Sequence, residues 1–175
     1  YVVWQGTDLD PYIKYYNHDT RGWSQQYEVG DNPLTDDDHG APSIVIDDTG
    51  YIHVFFGSHN SQQQYYRSSN PYEISSWEDR SSALGASSAT YPIPLTCNGN
   101  LYLGYRHSVN GDNKPIVIKS SSDSGDTWSS RHTLADFSDG GSYWNYPGTF
   151  ECRNGNIHFS WAEDIDDTSI ANARD

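Results

Sequence analysis

The feature that most restricts this chain is a segment that occurs three times. APSIVIDDTGYIHVFFGSHN starts at Ala41, TYPIPLTCNGNLYLGYRHS at Thr90 and NYPGTFECRNGNIHFSWAE at Asn145. Each carries a proline (Pro42, Pro92, Pro147), a short apolar run, a turn containing glycine and then an alternating run. Asn98-Gly99, Asn154-Gly155 and Asp48-Thr49-Gly50 sit between those runs, and such turns between alternating segments are strong hairpin signals. The prolines are 50 and 55 residues apart. A period of that length, with a hairpin in every repeat, predicts an array of similar β-units.

A second marker refines the prediction. SSDSGDTW, from Ser121 to Trp128, fits the Asp-box pattern S-x-D-x-G-x-T-W at every position. In such a turn the Asp accepts backbone N–H groups, the Gly takes a positive φ and the Trp packs between sheets. Weaker relatives end at Trp23 (NHDTRGW) and Trp77 (SSNPYEISSW). Four strands per repeat and an Asp-box predict an all-β fold, a β-propeller of four-stranded antiparallel blades. The expected units are the end of one blade over 1–35, blades over 36–80 and 86–132, and an incomplete blade over 141–175. Propellers close with typically 4–8 blades, so the expectation is a piece of a larger propeller.

Composition agrees with many short strands and polar turns. The chain has 14 Tyr, 6 Trp and 5 Phe, but only 34% apolar residues. Its 24 acids against 10 bases give a net charge of −14, which disfavours nucleic acid and anionic membranes as partners. No apolar run reaches the 18 residues of a transmembrane helix. Cys97 and Cys152 match no zinc spacing, and sequence leaves their pairing open.

The repeat also places chemistry. His39 stands where the chain enters the inner strand SIVID, and the DDTG turn sends the chain back through YIHVFFG to His59. Out and back along two short strands returns both histidines to one rim. On the next unit Tyr91 precedes PIPLT, as His39 precedes SIVID, and Arg106 follows LYLGY, much as His59 follows its strand. His39, His59, Asn60, Tyr91 and Arg106 are thus expected around one pocket, joined from the third repeat by Tyr146 and Trp144. His53 and His158 alternate into the space between sheets and are expected to be structural. The Asp36–Asp38 run is read as a solvated loop.

The ordered residues H…SHN…YP…YR, with the Asp-box, resemble the BNR-type propeller of ulvan lyases. The resemblance runs from about Asp36 to Trp161. It implies a seven-bladed propeller, about half of it present, and a secreted or periplasmic enzyme. The implied reaction is β-elimination on an anionic, uronate-containing sulfated polysaccharide. It also implies that the catalytic set is His39, His59, Tyr91 and Arg106, with Asn60, Tyr146 and Trp144 binding substrate. The family can carry a structural metal ion, but no ligands for one map onto this chain, and the chemistry needs no cofactor.

Elimination needs a base for the C5 proton, an acid for O4 and a cation to neutralise the uronate carboxylate. His39 suits the base and Tyr91 the acid; the reverse assignment stays open, because a neighbouring arginine favours a phenolate. Arg106, a fixed fork of donors, suits the carboxylate. Two rivals remain open: a propeller glycoside hydrolase working with paired carboxylates, and a non-catalytic carbohydrate-binding propeller whose aromatic side chains stack on sugars. A sialidase is disfavoured, because no Arg is followed two residues later by Pro.

Overall fold

The structure is a computed structural model that describes residues 1–108, 113–136 and 143–165. Of the last expected unit, residues 141, 142 and 166–175 lie outside the described residues.

The described chain is all β apart from two single turns. The strands are β1 (Val2–Gln5), β2 (Pro11–Lys14), β3 (Tyr16–Asn17), β4 (Gly22–Trp23), β5 (Tyr27–Glu28), β6 (Ser43–Ile46), β7 (Ile52–Phe56), β8 (His59–Ser61), β9 (Gln64–Ser68) and β10 (Trp77–Asp79). They continue with β11 (Ala89–Cys97), β12 (Asn100–His107), β13 (Asn113–Lys114), β14 (Ile116–Ser121), β15 (His132–Ala135), β16 (Tyr143–Arg153) and β17 (Asn156–Ile165). A 3-10 turn, Asp38–Gly40, precedes β6, and a short helix α1, Ser81–Leu84, precedes β11.

These strands form successive meanders. The first sheet is β1-β2-β5, with β3 and β4 as a separate ribbon beside the first weak Asp-box relative. The second runs β10-β9-β7-β6, and the third runs β15-β14-β12-β11 with β8 added at its inner edge. In the fourth, β16 pairs with β17 antiparallel and with β13 in parallel.

Turn chemistry sets the hairpins. Asn98 and Gly99 have φ of 50° and 76°, and Asn154 and Gly155 have 51° and 76°. Both pairs are two-residue loops whose flanking residues are direct partners, Cys97 with Asn100 and Arg153 with Asn156. Two positive φ angles in a row twist the chain to match the strands, and Asn and Gly tolerate them at low cost.

Apolar alternation stacks the sheets. All five residues of β7 are buried, because the strand is covered on both faces. Ile52, Val54 and Phe56 join Ile13 and Val29 in a core toward the first sheet. Phe55 joins Tyr65, Leu103, Tyr105 and Val117 in a core toward the third. A third core, with Leu95, Ile116, Ala135 and Phe150, lies between the third and fourth sheets. Gly104 in β12 makes room there, since a Cβ on it would meet the Phe150 ring at 2.6 Å.

The Asp-box is built as its sequence predicts. Asp123 accepts the Thr127 N–H at 2.9 Å and its hydroxyl at 2.6 Å. Gly125 has φ of 83°, and a Cβ there would fall on the Tyr65 hydroxyl. Trp128 packs edge-on against Phe55 and Tyr65 of the neighbouring sheet. The weaker relatives differ: Trp77 packs against the core of the first two sheets, whereas Trp23 is 56% exposed.

Two expectations about side chains resolve differently. His53 is wholly buried, between Tyr65 Oη at 2.8 Å (Nδ1) and Asp47 Oδ2 at 3.1 Å (Nε2), as a structural residue should be. His158, its counterpart in β17, is exposed, because no described sheet covers that face. Cys97 and Cys152, whose pairing sequence left open, form a disulfide that ties the third sheet to the fourth beside their hairpin turns.

Candidate functional site

The site grows from one connection between sheets. After β7 the chain does not enter β9 directly. It first lays the three residues of β8 against the inner strand β11 of the next sheet, pairing Ser61 with Ala89 and His59 with Thr90. Thr90 in turn pairs with Arg106 on β12. His59, Thr90 and Arg106 therefore stand in one row across three strands, and strands two apart lie about 10 Å from each other. Sequence placed His59 at a strand exit; the added strand is what carries it onto the neighbouring sheet.

Two unusual backbones turn side chains into the site. Tyr91 has φ of 58° inside β11, where the pairing with β12 slips between Thr90 and Ile93. A bulky residue rarely takes that conformation, and such strain concentrates at functional positions. Asn60 has φ of 54°, its backbone N–H donates to Thr90 Oγ1 at 2.8 Å, and its Oδ1 accepts the hydroxyls of Thr90 and Ser108. With Oδ1 occupied, the amide of Asn60 is held in one orientation.

The expected residues converge. The His39 and His59 rings stack 4.0 Å apart at 18°. Tyr91 lies 6.1 Å from His39 and 5.9 Å from Tyr146, ring to ring. The guanidinium carbon of Arg106 sits 4.7 Å from the Tyr91 centroid and 5.0 Å from that of Tyr146. Trp144 has its backbone in β16, but its side chain lies outside the described residues.

Arg106 is the unusual member. It is 2% exposed, and its Nε and Nη1 have no hydrogen-bond partner. No carboxylate among the described residues pairs with it. A buried guanidinium packed against two aromatic rings, with donors unused, is a site built for an anion from outside.

Sequence reasoning missed Asp37 by treating the whole acidic run as a solvated loop. Its Oδ1 contacts His39 Nδ1 at 2.5 Å and its Oδ2 contacts His59 Nδ1 at 2.5 Å. It also caps the 3-10 turn by accepting the His39 backbone N–H at 3.0 Å. The hydrogen bond from His59, and next that from the His39 backbone, hold its carboxyl far below the usual carboxylate range. The signal available in sequence was the Asp-x-His spacing of an Asx-type cap. Asp38, by contrast, is largely exposed.

Among the described residues, Asp37, His39 and His59 are the one group whose ligand atoms lie close enough to hold a metal. Both Nδ1 atoms contact Asp37 at hydrogen-bond distance, one on each carboxylate oxygen. That arrangement suits shared protons better than a shared ion. Among the described residues, a structural metal of the kind the resemblance allows would have to replace these hydrogen bonds.

Comparison with known proteins identifies the family. The model of the BNR repeat-containing family matches residues 1–171. Among curated relatives, Ulvan Lyase-PL25 of Pseudoalteromonas sp. (strain PLSV) is 34% identical, over 74% of this chain and 30% of its own. Ulvan lyases of Alteromonas sp. (strain LOR) and Nonlabens ulvanivorans are 31% and 32% identical, each over 74% of this chain and 31% and 32% of their own. A solved structure of the polysaccharide lyase PL25 ulvan lyase, bound to -[GlcA(1-4)Rha3S]-, superposes with a TM-score of 0.79 at 28% identity, covering 94% of this chain and 42% of that one. The chain thus spans about a third of the length of the curated relatives it matches. By the family model that covers nearly all of it, the chain belongs to the BNR repeat-containing family.

Proposed function

We propose that this chain carries the catalytic face of a polysaccharide lyase that cleaves an ulvan-type polymer by β-elimination. The observation that carries the reading is Arg106, buried with Nε and Nη1 unpartnered against Tyr91, whose ring in turn lies near the stacked His39 and His59. The resemblance to ulvan lyases names the substrate class: a 4-linked uronate next to a sulfated rhamnose.

In this reading Arg106 binds the uronate carboxylate, and the side-chain amide of Asn60 donates to it from the other side. Neutralising that carboxylate makes the C5 proton acidic enough to remove. His39 takes the proton through Nε2. The C5–H electrons form the C4=C5 bond, the C4–O4 bond breaks, and Tyr91 gives its phenolic proton to O4. Tyr146, and Trp144 beside it in sequence, contact the neighbouring sugars. The steps run on protons and fixed charge, with no cofactor.

A hydrolase with paired carboxylates fits less well. Both oxygens of Asp37 are taken by imidazoles, so it is poorly placed to activate water or protonate a leaving oxygen. A binding module would not need a buried cation beside a histidine pair. The architecture we propose is a seven-bladed propeller to which these sheets contribute part. The disulfide supports an oxidising compartment and so a secreted or periplasmic protein.

The test is to incubate the intact protein with ulvan and follow ultraviolet absorbance from the C4=C5 bond. Growth of that absorbance supports the lyase. Chain shortening without it supports hydrolysis, and binding without cleavage supports the module.

A further inference from the structure

A carboxylate can only accept hydrogen bonds. Asp37 is met at one oxygen by His39 Nδ1 and at the other by His59 Nδ1, each at 2.5 Å. The two rings are stacked 4.0 Å apart at 18°, and their Nδ1 atoms meet one oxygen each of the same carboxylate. Asp37 is itself fixed, because it caps the turn that carries His39. Its charge persists under the hydrogen bond from His59 and that from the His39 backbone.

We propose that Asp37 is a positioning residue that sets the tautomer of both active-site histidines. Each donates Nδ1–H to Asp37 and keeps a bare Nε2 on the opposite edge of its ring. The idea rests on the lyase reading only for its consequence: a bare Nε2 on His39 is the form that can accept the C5 proton. Without Asp37 each ring is free to turn over or to carry its proton on Nε2, where it cannot act as base.

Asp37→Asn separates this role from a structural one. An Asn side chain accepts from one imidazole but donates to the other, so one ring must present a bare Nδ1 and carry its proton on Nε2. The measurement is nitrogen NMR of histidine-labelled intact protein above the imidazole titration, together with steady-state kinetics on ulvan. The parent should show His39 and His59 as Nδ1–H tautomers, and the variant should show one ring switched. Turnover should fall about 100-fold or more with KM changed only a few-fold, the scale of losing an acid–base group. Asp38→Asn, at an exposed neighbour, should leave both spectra and turnover unchanged. Nε2–H tautomers in the parent overturn the proposal, whatever the variant's folding. So does full turnover in a folded Asp37→Asn. Nδ1–H tautomers in a parent that does not cleave ulvan support the positioning and overturn the lyase reading alone.

Discussion

Replacing Arg106 by Met should make the protein more stable and abolish its function. Arg106 is 2% exposed with two buried donors unpaired. A buried polar group without a partner costs about 1–3 kcal/mol, so two cost roughly 2–6 kcal/mol. The contacts with Tyr91 and Tyr146, at 4.7 and 5.0 Å, offset part of that. Each is worth about 0.5–2 kcal/mol, so together they return roughly 1–4 kcal/mol. The balance leaves Arg106 destabilising by about 1–2 kcal/mol, close to what removing other buried charges has gained. Met keeps the volume and packs well against aromatic rings. The Tm should therefore rise, by about 2–4 °C per kcal/mol if the cooperative unit is 150–250 residues. Cleavage should fall by about 100-fold or more, the scale of losing one preorganised electrostatic contact. The assays are thermal melting without substrate and initial rates on ulvan. A variant that melts several degrees lower than the parent would refute the reasoning, since Arg106 would then be paired in a way that stabilises the fold. Unchanged cleavage would refute its role.

Three further outcomes follow from the structure. Tyr91→Phe keeps the ring against Arg106 but removes the acid, so turnover should drop by about 100-fold with binding little altered; near-normal turnover in a folded variant would remove Tyr91 from that role. Opening the Cys97–Cys152 disulfide, whose ends are 55 residues apart, should cost about 4 kcal/mol by the loop-entropy relation, and denaturant unfolding with and without reductant would show no shift if that staple were idle. Burial holds the His53 pKa below its usual value against the hydrogen bond and charge of Asp47. The unfolded chain therefore binds a proton there first, and stability should begin to fall as pH drops below about 6.5. In His53→Gln that part of the pH dependence of Tm should vanish, and a parallel profile would contradict the assignment.

What sequence revealed was local or repeated. Asn98-Gly99 and the Asp-box announce themselves because their backbone conformations demand those residues. The gathering of His39, Tyr91 and Arg106 could be anticipated because equivalent repeat positions fall on one rim. The strand His59–Ser61 could not, since three polar residues have no period, and its partner Ala89–Thr90 lies about 30 residues on. Asp37 was hidden among three consecutive acids, of which only tertiary contact picks one out. The disulfide was undecided because two cysteines near the turns of successive hairpins meet only if the sheets stack. His158 shows the converse: the same position in the pattern as His53, but exposed, because burial depends on a neighbour and not on the strand itself.

The central claim is that the cluster around Arg106 performs elimination. Mass spectrometry of the fragments that the intact protein releases from ulvan tests it most directly. Elimination removes the C5 proton and O4 without adding water, so each new non-reducing end should be an unsaturated uronate, lighter by one water than a hydrolytic fragment of the same length. The account predicts those lighter ends from the parent protein and their loss in Tyr91→Phe and Arg106→Met. New ends carrying the full mass of a hydrated uronate would contradict it.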